Sequence, residues 1–174
     1  MVDQALGAAE PSTAGALARE AACAREIDWA GRRLTQEALL AGFDLNIALA
    51  AKSREESLEF VRWGHRVYRK LGELGVPSFG FVNGAALGGG LEIALHCTYR
   101  TVSSAVPAIA LPETMLGLIP GWGGAWLLPN LIGPANALEV IIANPMQQNR
   151  QMKPKDALRL GVVDLVATDL DDLL

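Results

Sequence analysis

Two glutamates stand out against an almost uncharged background. From Ser78 to Asn149 the chain carries only four charged side chains, Glu92, Arg100, Glu113 and Glu139, and lysine is absent from 71 to 152. Glu92 follows the run Gly88-Gly89-Gly90 by two residues, and Glu113 lies in Leu111-Pro112-Glu113, with apolar residues around both. An unpartnered carboxylate is costly to bury, so two of them in a lysine-free stretch point to work other than ion pairing. Two carboxylates with a water between them can act as acid and base, provided burial raises the pKa of at least one. The competing reading of Glu92 is a carboxylate that only complements the N-terminus of its own helix. The glycines invite a phosphate-binding reading, which fails. A dinucleotide fingerprint counted from Gly88 meets Ile93 at its last glycine, and a P-loop needs a lysine. What remains for three glycines at a helix start is close approach of the backbone to a ligand. Their free N–H groups would then face a developing negative charge, as in an oxyanion hole.

The elements that would position these groups can be read in outline. Ser53-Arg54-Glu55-Glu56 is a capping-box pattern, and Phe60, Gly64, Val67 and Leu71 follow at spacings of four, three and four. This predicts an amphipathic helix over residues 54–72, ended by Gly72 or Gly75. After Pro77, Ser78 to Val82 reads as a buried strand, the glycine loop follows, and Leu91 to Cys97 reads as helix. Tyr99 to Ser103 and Ala108 to Leu111 read as strands. Gly121-Trp122-Gly123-Gly124 opens an apolar helix that Pro129 limits or kinks. Pro134 to Ala143 and Lys153 to Leu160 read as helices, and Val162 to Val166 as a strand. The alternation predicts an α/β fold. Residues 1–40, with 11 alanines, read as a helical or loosely ordered leader, and Arg32-Arg33-Leu34-Thr35-Gln36-Glu37 as helix or loop.

Composition sets the outer bounds. A chain of 174 residues has room for one domain, and 51% hydrophobic with 20% charged residues is a folding composition. A net charge of −4 excludes a mainly electrostatic grip on nucleic acid or anionic membrane. The longest uncharged runs, Thr101 to Pro112 and Thr114 to Leu138, are broken by proline, so no span of about 18 apolar residues exists. Asp3 and Glu10 precede the first basic residue, Arg19, unlike a secretory signal, and a cytoplasmic location is expected. Cys23 and Cys97 show no ligand spacing. The adjacent pair His96-Cys97 points ~100° apart on a helix, so structural thiols and no metal are expected. His65 and His96 read as structural helix residues. Trp122 and Trp126, four apart, are expected to share a packing face rather than to stack on adenine, and Arg100 to pair with Glu139 or a carboxylate terminus.

Four segments then bring the chain to a family. Val82-Asn83-Gly84-Ala85-Ala86-Leu87-Gly88-Gly89-Gly90-Leu91-Glu92, Leu111-Pro112-Glu113, Leu116-Gly117-Leu118-Ile119-Pro120-Gly121-Trp122-Gly123-Gly124 and Ala157-Leu158-Arg159-Leu160-Gly161-Val162-Val163-Asp164 resemble, in order, the enoyl-CoA hydratase/isomerase (crotonase) family. The likeness runs from about Ala41 to the C-terminus. It resembles in particular the hydratase part of bifunctional fatty-acid oxidation proteins, which carry a 3-hydroxyacyl-CoA dehydrogenase after it. The resemblance implies a crotonase (ClpP-like) α/β fold of repeated ββα turns, trimers that pair into hexamers, and acyl-CoA thioester substrates with no separate cofactor. It further implies that the N–H groups of Phe43 and Gly89 form the oxyanion hole, that Glu92 is the base on water and that Glu113 is the acid that protonates the α-carbon. Gly88, Gly121 and Gly124 would shape the site, and Ala41, Gly42, Asp44 and Leu45 would line the adenine or pantetheine end. Keeping both glutamates favours hydration of a trans-2-enoyl-CoA over double-bond isomerisation. The competing readings are an isomerase and a catalytically silent subunit that binds acyl-CoA or a partner chain. The chain departs from the pattern in three ways. A large side chain stands at Phe43, residues 1–40 do not match the strands that open the family's domain, and the helices that family members use for trimer contacts are not present after Leu174. Residues 41–174 therefore read as a partial domain, incomplete at the N-terminus, behind an atypical leader.

Overall fold

The computed structural model describes residues 26–29, 32–35, 53–168 and 172, the first two segments as backbone alone. Strand β1 (Glu26–Trp29) pairs antiparallel with β2 (Arg32–Thr35), in the register Glu26↔Thr35 to Trp29↔Arg32. The helix or loop expected at Arg32 to Glu37 is thus a strand over its first four residues. Only two residues, Ala30 and Gly31, separate the paired ends, which is hairpin spacing. Pairing across the ribbon overrides the local helical preference of the charged residues.

Helix α1 (Arg54–Gly72) starts where the capping pattern puts it: the Glu56 amide donates to Ser53 Oγ at 3.1 Å. Glu55 and Glu56 lie in its first turn and Arg69 and Lys70 in its last, as the helix dipole favours. Its one buried residue is Gly64, because the Trp122 indole lies across the helix there and a Cβ would overlap the ring.

A parallel sheet follows in the order β3 (Phe79–Val82), β5 (Tyr99–Ser103), β7 (Leu165–Ala167), with Val82 opposite Val102 and Val102 opposite Val166. A second parallel pair, β4 (Ala86–Leu87) with β6 (Ile109–Ala110), lies beside it in the chain order. Helix α2 (Gly89–Leu95) connects β4 to β5. A 3₁₀ turn (Glu113–Leu116) follows β6, then α3 (Gly124–Ile132), α4 (Pro134–Leu138), a wide π turn (Glu139–Ala143), the single turn α5 (Asn144–Met146) and α6 (Pro154–Leu160). Helix α3 runs through Pro129 to Ile132 before Gly133 ends it.

The core joins these elements. Leu91 of α2, Val102 of β5, Ile109 and Leu111 around β6, Leu128 of α3, Val140 and Val162 are almost fully withdrawn from water. Each such side chain contributes ~1.5–3 kcal/mol through burial. Arg100 is buried among them and does not meet Glu139. Its Nη2 pairs with Asp164 Oδ2 at 3.1 Å, Nη1 donates to the Cys97 carbonyl at 2.8 Å and Nε to the Val162 carbonyl at 3.1 Å. The Arg100 amide also donates to Asp164 Oδ2 at 2.6 Å. One residue of β5 therefore ties down the segment between α6 and β7. No helix among the described residues is long and apolar enough to cross a membrane.

Candidate active site

The site is built where β4 and β6 end together. The Gly88 amide donates to the Ala110 carbonyl at 2.9 Å, which pins the glycine loop to the strand leading into Glu113. Gly88 has φ +54°, and a Cβ there would stand 2.8 Å from Glu113 Oε1. Backbone conformation and available space both require glycine, and the result is a carboxylate lying against the main chain. Gly89 begins α2, and its amide donates to nothing among the described residues, as expected of a first-turn N–H.

Glu92 stands one turn into α2 and is only 2% exposed. Its Oε1 accepts from the amides of Trp122 at 2.8 Å and Gly124 at 2.9 Å. One donor, Trp122, lies in the turn before α3 and the other, Gly124, is the first residue of α3, so this carboxylate meets the N-terminus of the neighbouring helix rather than that of its own. Gly124 is glycine for space: a Cβ would sit 2.6 Å from Pro120 Cβ and 3.1 Å from Glu92 Oε1. Burial raises the Glu92 pKa, and the two amides, by stabilising the anion, pull it part of the way back.

Glu113 sits in the 3₁₀ turn after Pro112, and its carbonyl accepts the Leu118 amide at 3.0 Å. Its Oε2 is buried with no hydrogen-bond partner among the described residues. Burial pushes its pKa up to about 7; its own amide opposes that rise and the charge on Glu92 adds to it. The Glu92 charge thus reaches Glu113. Near neutral pH such a pair can hold one proton donor and one acceptor, which is an acid-base arrangement.

Of the other residues read from the sequence, Gly121 lies near Val61 of α1, with its Cβ position 3.9 Å from Val61 Cγ1, and touches neither carboxylate. Ala41, Gly42, Phe43, Asp44 and Leu45 lie outside the described residues, as does Cys23. Cys97 is half-buried and its thiol pKa is raised by burial. His65 is exposed on α1. Trp122 and Trp126 do not share a face: α3 begins only at Gly124, so Trp122 precedes the helix and packs inward while Trp126 is 73% exposed.

Three residues at the site carry more than the sequence reading gave them. Trp122 meets Phe60 at 5.4 Å between ring centroids and packs T-shaped with Tyr68 at 5.1 Å. The Tyr68 hydroxyl comes within 3.3 Å of where a Gly89 Cβ would be, and burial, followed by the Glu92 charge, raises its pKa. Position 68 continues the Phe60, Gly64 spacing, which is the signal that could have found it. His96, half-buried, has Nε2 2.8 Å from the Trp122 carbonyl oxygen, and burial lowers its pKa.

The enoyl-CoA hydratase/isomerase family profile matches residues 35–174. Among curated proteins, the chain is 38% identical over 134 residues to the fatty acid oxidation complex subunit alpha of Shewanella amazonensis, and 39% identical over 132 residues to that of Vibrio cholerae. These alignments cover 76% and 75% of this chain but 18% of each relative, so the chain spans less than a fifth of the length of the curated relatives it matches. Among solved structures, an enoyl-CoA hydratase from Thermoplasma volcanium superposes with a TM-score of 0.69 at 26% identity, covering 76% of this chain and 51% of that one. Pseudomonas aeruginosa DspI superposes with a TM-score of 0.67 at 33% identity, covering 76% and 48%. With the family profile matching most of the sequence and these structures superposing on it, the chain belongs to the enoyl-CoA hydratase/isomerase family, with its crotonase α/β fold.

Proposed function

We propose that the chain is an enoyl-CoA hydratase module, adding water syn across the double bond of a trans-2-enoyl-CoA thioester in fatty-acid β-oxidation. The observation that carries this reading is the pairing of a buried, amide-held Glu92 with a Glu113 whose pKa stands at about 7. Ionised Glu92 takes a proton from water as the water oxygen bonds to the β-carbon. The electron pair of the double bond moves toward the thioester oxygen, which the amides of Gly89 and Phe43 would stabilise in the manner of an oxyanion hole. Protonated Glu113 then delivers its proton to the α-carbon. One hydrogen and one hydroxyl are added, Glu92 ends protonated and Glu113 ionised, and proton exchange with solvent restores both. The reaction is redox-neutral and consumes only water, so the proposal needs no redox cofactor, and it assigns every proton transfer to the two glutamates.

Gly88 and Gly124 bring the backbone close to the reacting atoms in this reading, with Gly121 further back in the same loop and Ala41, Gly42, Asp44 and Leu45 toward the nucleotide end. A homo-oligomer, trimer or hexamer, belongs to the same proposal and is supported by large apolar side chains left in solvent, including Ile119, Trp126 and Met146. A cytoplasmic location goes with it.

The test is loss of the conjugated thioester absorbance of crotonyl-CoA and longer enoyl-CoAs. Glu92→Gln retains an oxygen for the Trp122 and Gly124 amides but no base, and Glu113→Gln retains shape but no acid. Each lowers kcat by about 10²- to 10⁴-fold. Thioester binding without turnover by the folded oligomer, or turnover only of a 3-enoyl-CoA, refutes the hydratase reading.

A further inference from the structure

Helix α2 and its C-cap residue, His96, which continues the helical backbone, present two side chains one turn apart to a single residue of the facing loop. Glu92 Oε1 accepts the Trp122 N–H at 2.8 Å, and His96 Nε2 lies 2.8 Å from the Trp122 carbonyl oxygen. A carbonyl oxygen only accepts, so Nε2 carries the hydrogen and donates. Residues four apart share a helix face, so Glu92 and His96 hold opposite ends of the same residue.

The surroundings are shaped for this grip. Gly123, next in the chain, has φ +131°, and a Cβ there would stand 2.6 Å from His96 Nε2. The loop thus adopts a conformation suited to glycine where the imidazole needs room. The Trp122 indole is held between Gly64 of α1 and Gly89 of α2, with the Tyr68 ring against it. Amide, carbonyl and ring of one residue are all fixed, and the amide is the one that aims the Glu92 carboxylate.

We infer that His96 is a positioning residue: by donating to the Trp122 carbonyl it fixes the Trp122 N–H, and through that N–H the orientation of the Glu92 carboxylate. Nothing in the acid-base reading of the two glutamates requires His96. The kinetic consequence rests on the hydratase proposal, whereas the structural one does not.

Two variants separate positioning from packing. His96→Leu fills the space without a donor, and His96→Gln returns an N–H at similar reach. With crotonyl-CoA, His96→Leu is expected to lose about 10- to 100-fold in kcat, the scale of a slightly misplaced catalytic group, with KM and thermal midpoint close to the parent; His96→Gln recovers most of the loss. Equal kcat in the two variants, or a loss confined to KM or to the midpoint, overturns the inference. If His96→Leu does not fold, His96→Asn replaces it, its amide being one methylene too short to reach. A second readout needs no substrate: the Glu92 carboxyl resonance in ¹³C-labelled protein, assigned with Glu92→Gln, followed against pH. Weakening the Trp122 amide bond removes a stabiliser of the anion, so Glu92 titrates at higher pH in His96→Leu and returns toward the parent in His96→Gln. An unchanged titration overturns the inference even if activity falls. A parent with no hydratase activity overturns the proposed function and leaves this readout to decide.

Discussion

Replacing Glu113 by glutamine removes one ionisation from a buried site while keeping its shape, which makes the stability cost of that carboxylate measurable. Burial, opposed by the residue's own amide and reinforced by the charge on Glu92, moves the pKa from the ordinary 4.5 to about 7. Between those values an unfolded chain has released this proton and the folded protein has kept it. The native state then binds more protons, so stability falls as pH rises. The contribution is complete below pH 4.5 and is lost as pH passes through about 7. At ~1.4 kcal/mol for each pKa unit the interval corresponds to ~3 kcal/mol, and the part of the carboxyl group open to solvent brings the expected figure to about 2 kcal/mol. The assay is urea unfolding of the parent and Glu113→Gln from about pH 4 to about pH 8, with one free energy subtracted from the other at each pH. Groups that do not interact with Glu113 cancel, and the parent should lose about 2 kcal/mol relative to the variant across the range. A flat difference, or one that favours the parent more at high pH, refutes the claim that Glu113 is buried with an unsatisfied oxygen.

The remaining expectations concern the same framework. Gly88→Ala puts a Cβ into a φ of +54° and against the Glu113 carboxylate; unfolding should show a loss of about 2–3 kcal/mol, and a loss below 1 kcal/mol means the loop can relax away from Glu113. Asp164→Ala leaves Arg100 buried with two carbonyls and no counter-charge. Because Asp164 is half-exposed, the expected cost is ~2 kcal/mol, read as a lowered thermal midpoint. The pH profile of kcat/KM for hydration should fall as pH rises through about 7, where Glu113 gives up its proton, and fall again on the acid side as Glu92, itself raised by burial, becomes protonated. Glu113→Gln should lack the alkaline limb; an unchanged limb assigns it to another group.

What could be read in the sequence follows from what each signal depends on. Glu92 and Glu113 were visible because charge is scarce around them, and scarcity of charge is a property of a linear segment. The cap at Ser53 and the closure at Gly161 are local as well, and both helices begin or end there as read. The Arg100 partner was not visible, since Asp164 lies 64 positions away and meets it only through the pairing of β5 with β7. Likewise the donors to Glu92 are main-chain amides 30 and 32 residues along, and an amide has no residue type to betray it. The i, i+4 spacing of Trp122 and Trp126 puts them on one face only where a single helix runs through both, and the helix starts between them. The strand at Arg32–Thr35 depends on its partner at Glu26–Trp29, a contact that propensity in either segment does not encode.

The reliance of Glu92 on main-chain donors has a consequence for how this protein tolerates change. Exchange of a polar side chain cannot delete the N–H of Trp122 or of Gly124, so the carboxylate keeps its anchors through most substitutions nearby. What can disturb those anchors is an added Cβ at Gly88, Gly123 or Gly124, where a side-chain atom would approach Glu113, His96 or Glu92 and Pro120. In a scan of every single substitution, the steepest losses should therefore trace the glycines as sharply as the two acids. The map of sensitive positions would then follow the path of the backbone rather than the inventory of reactive groups.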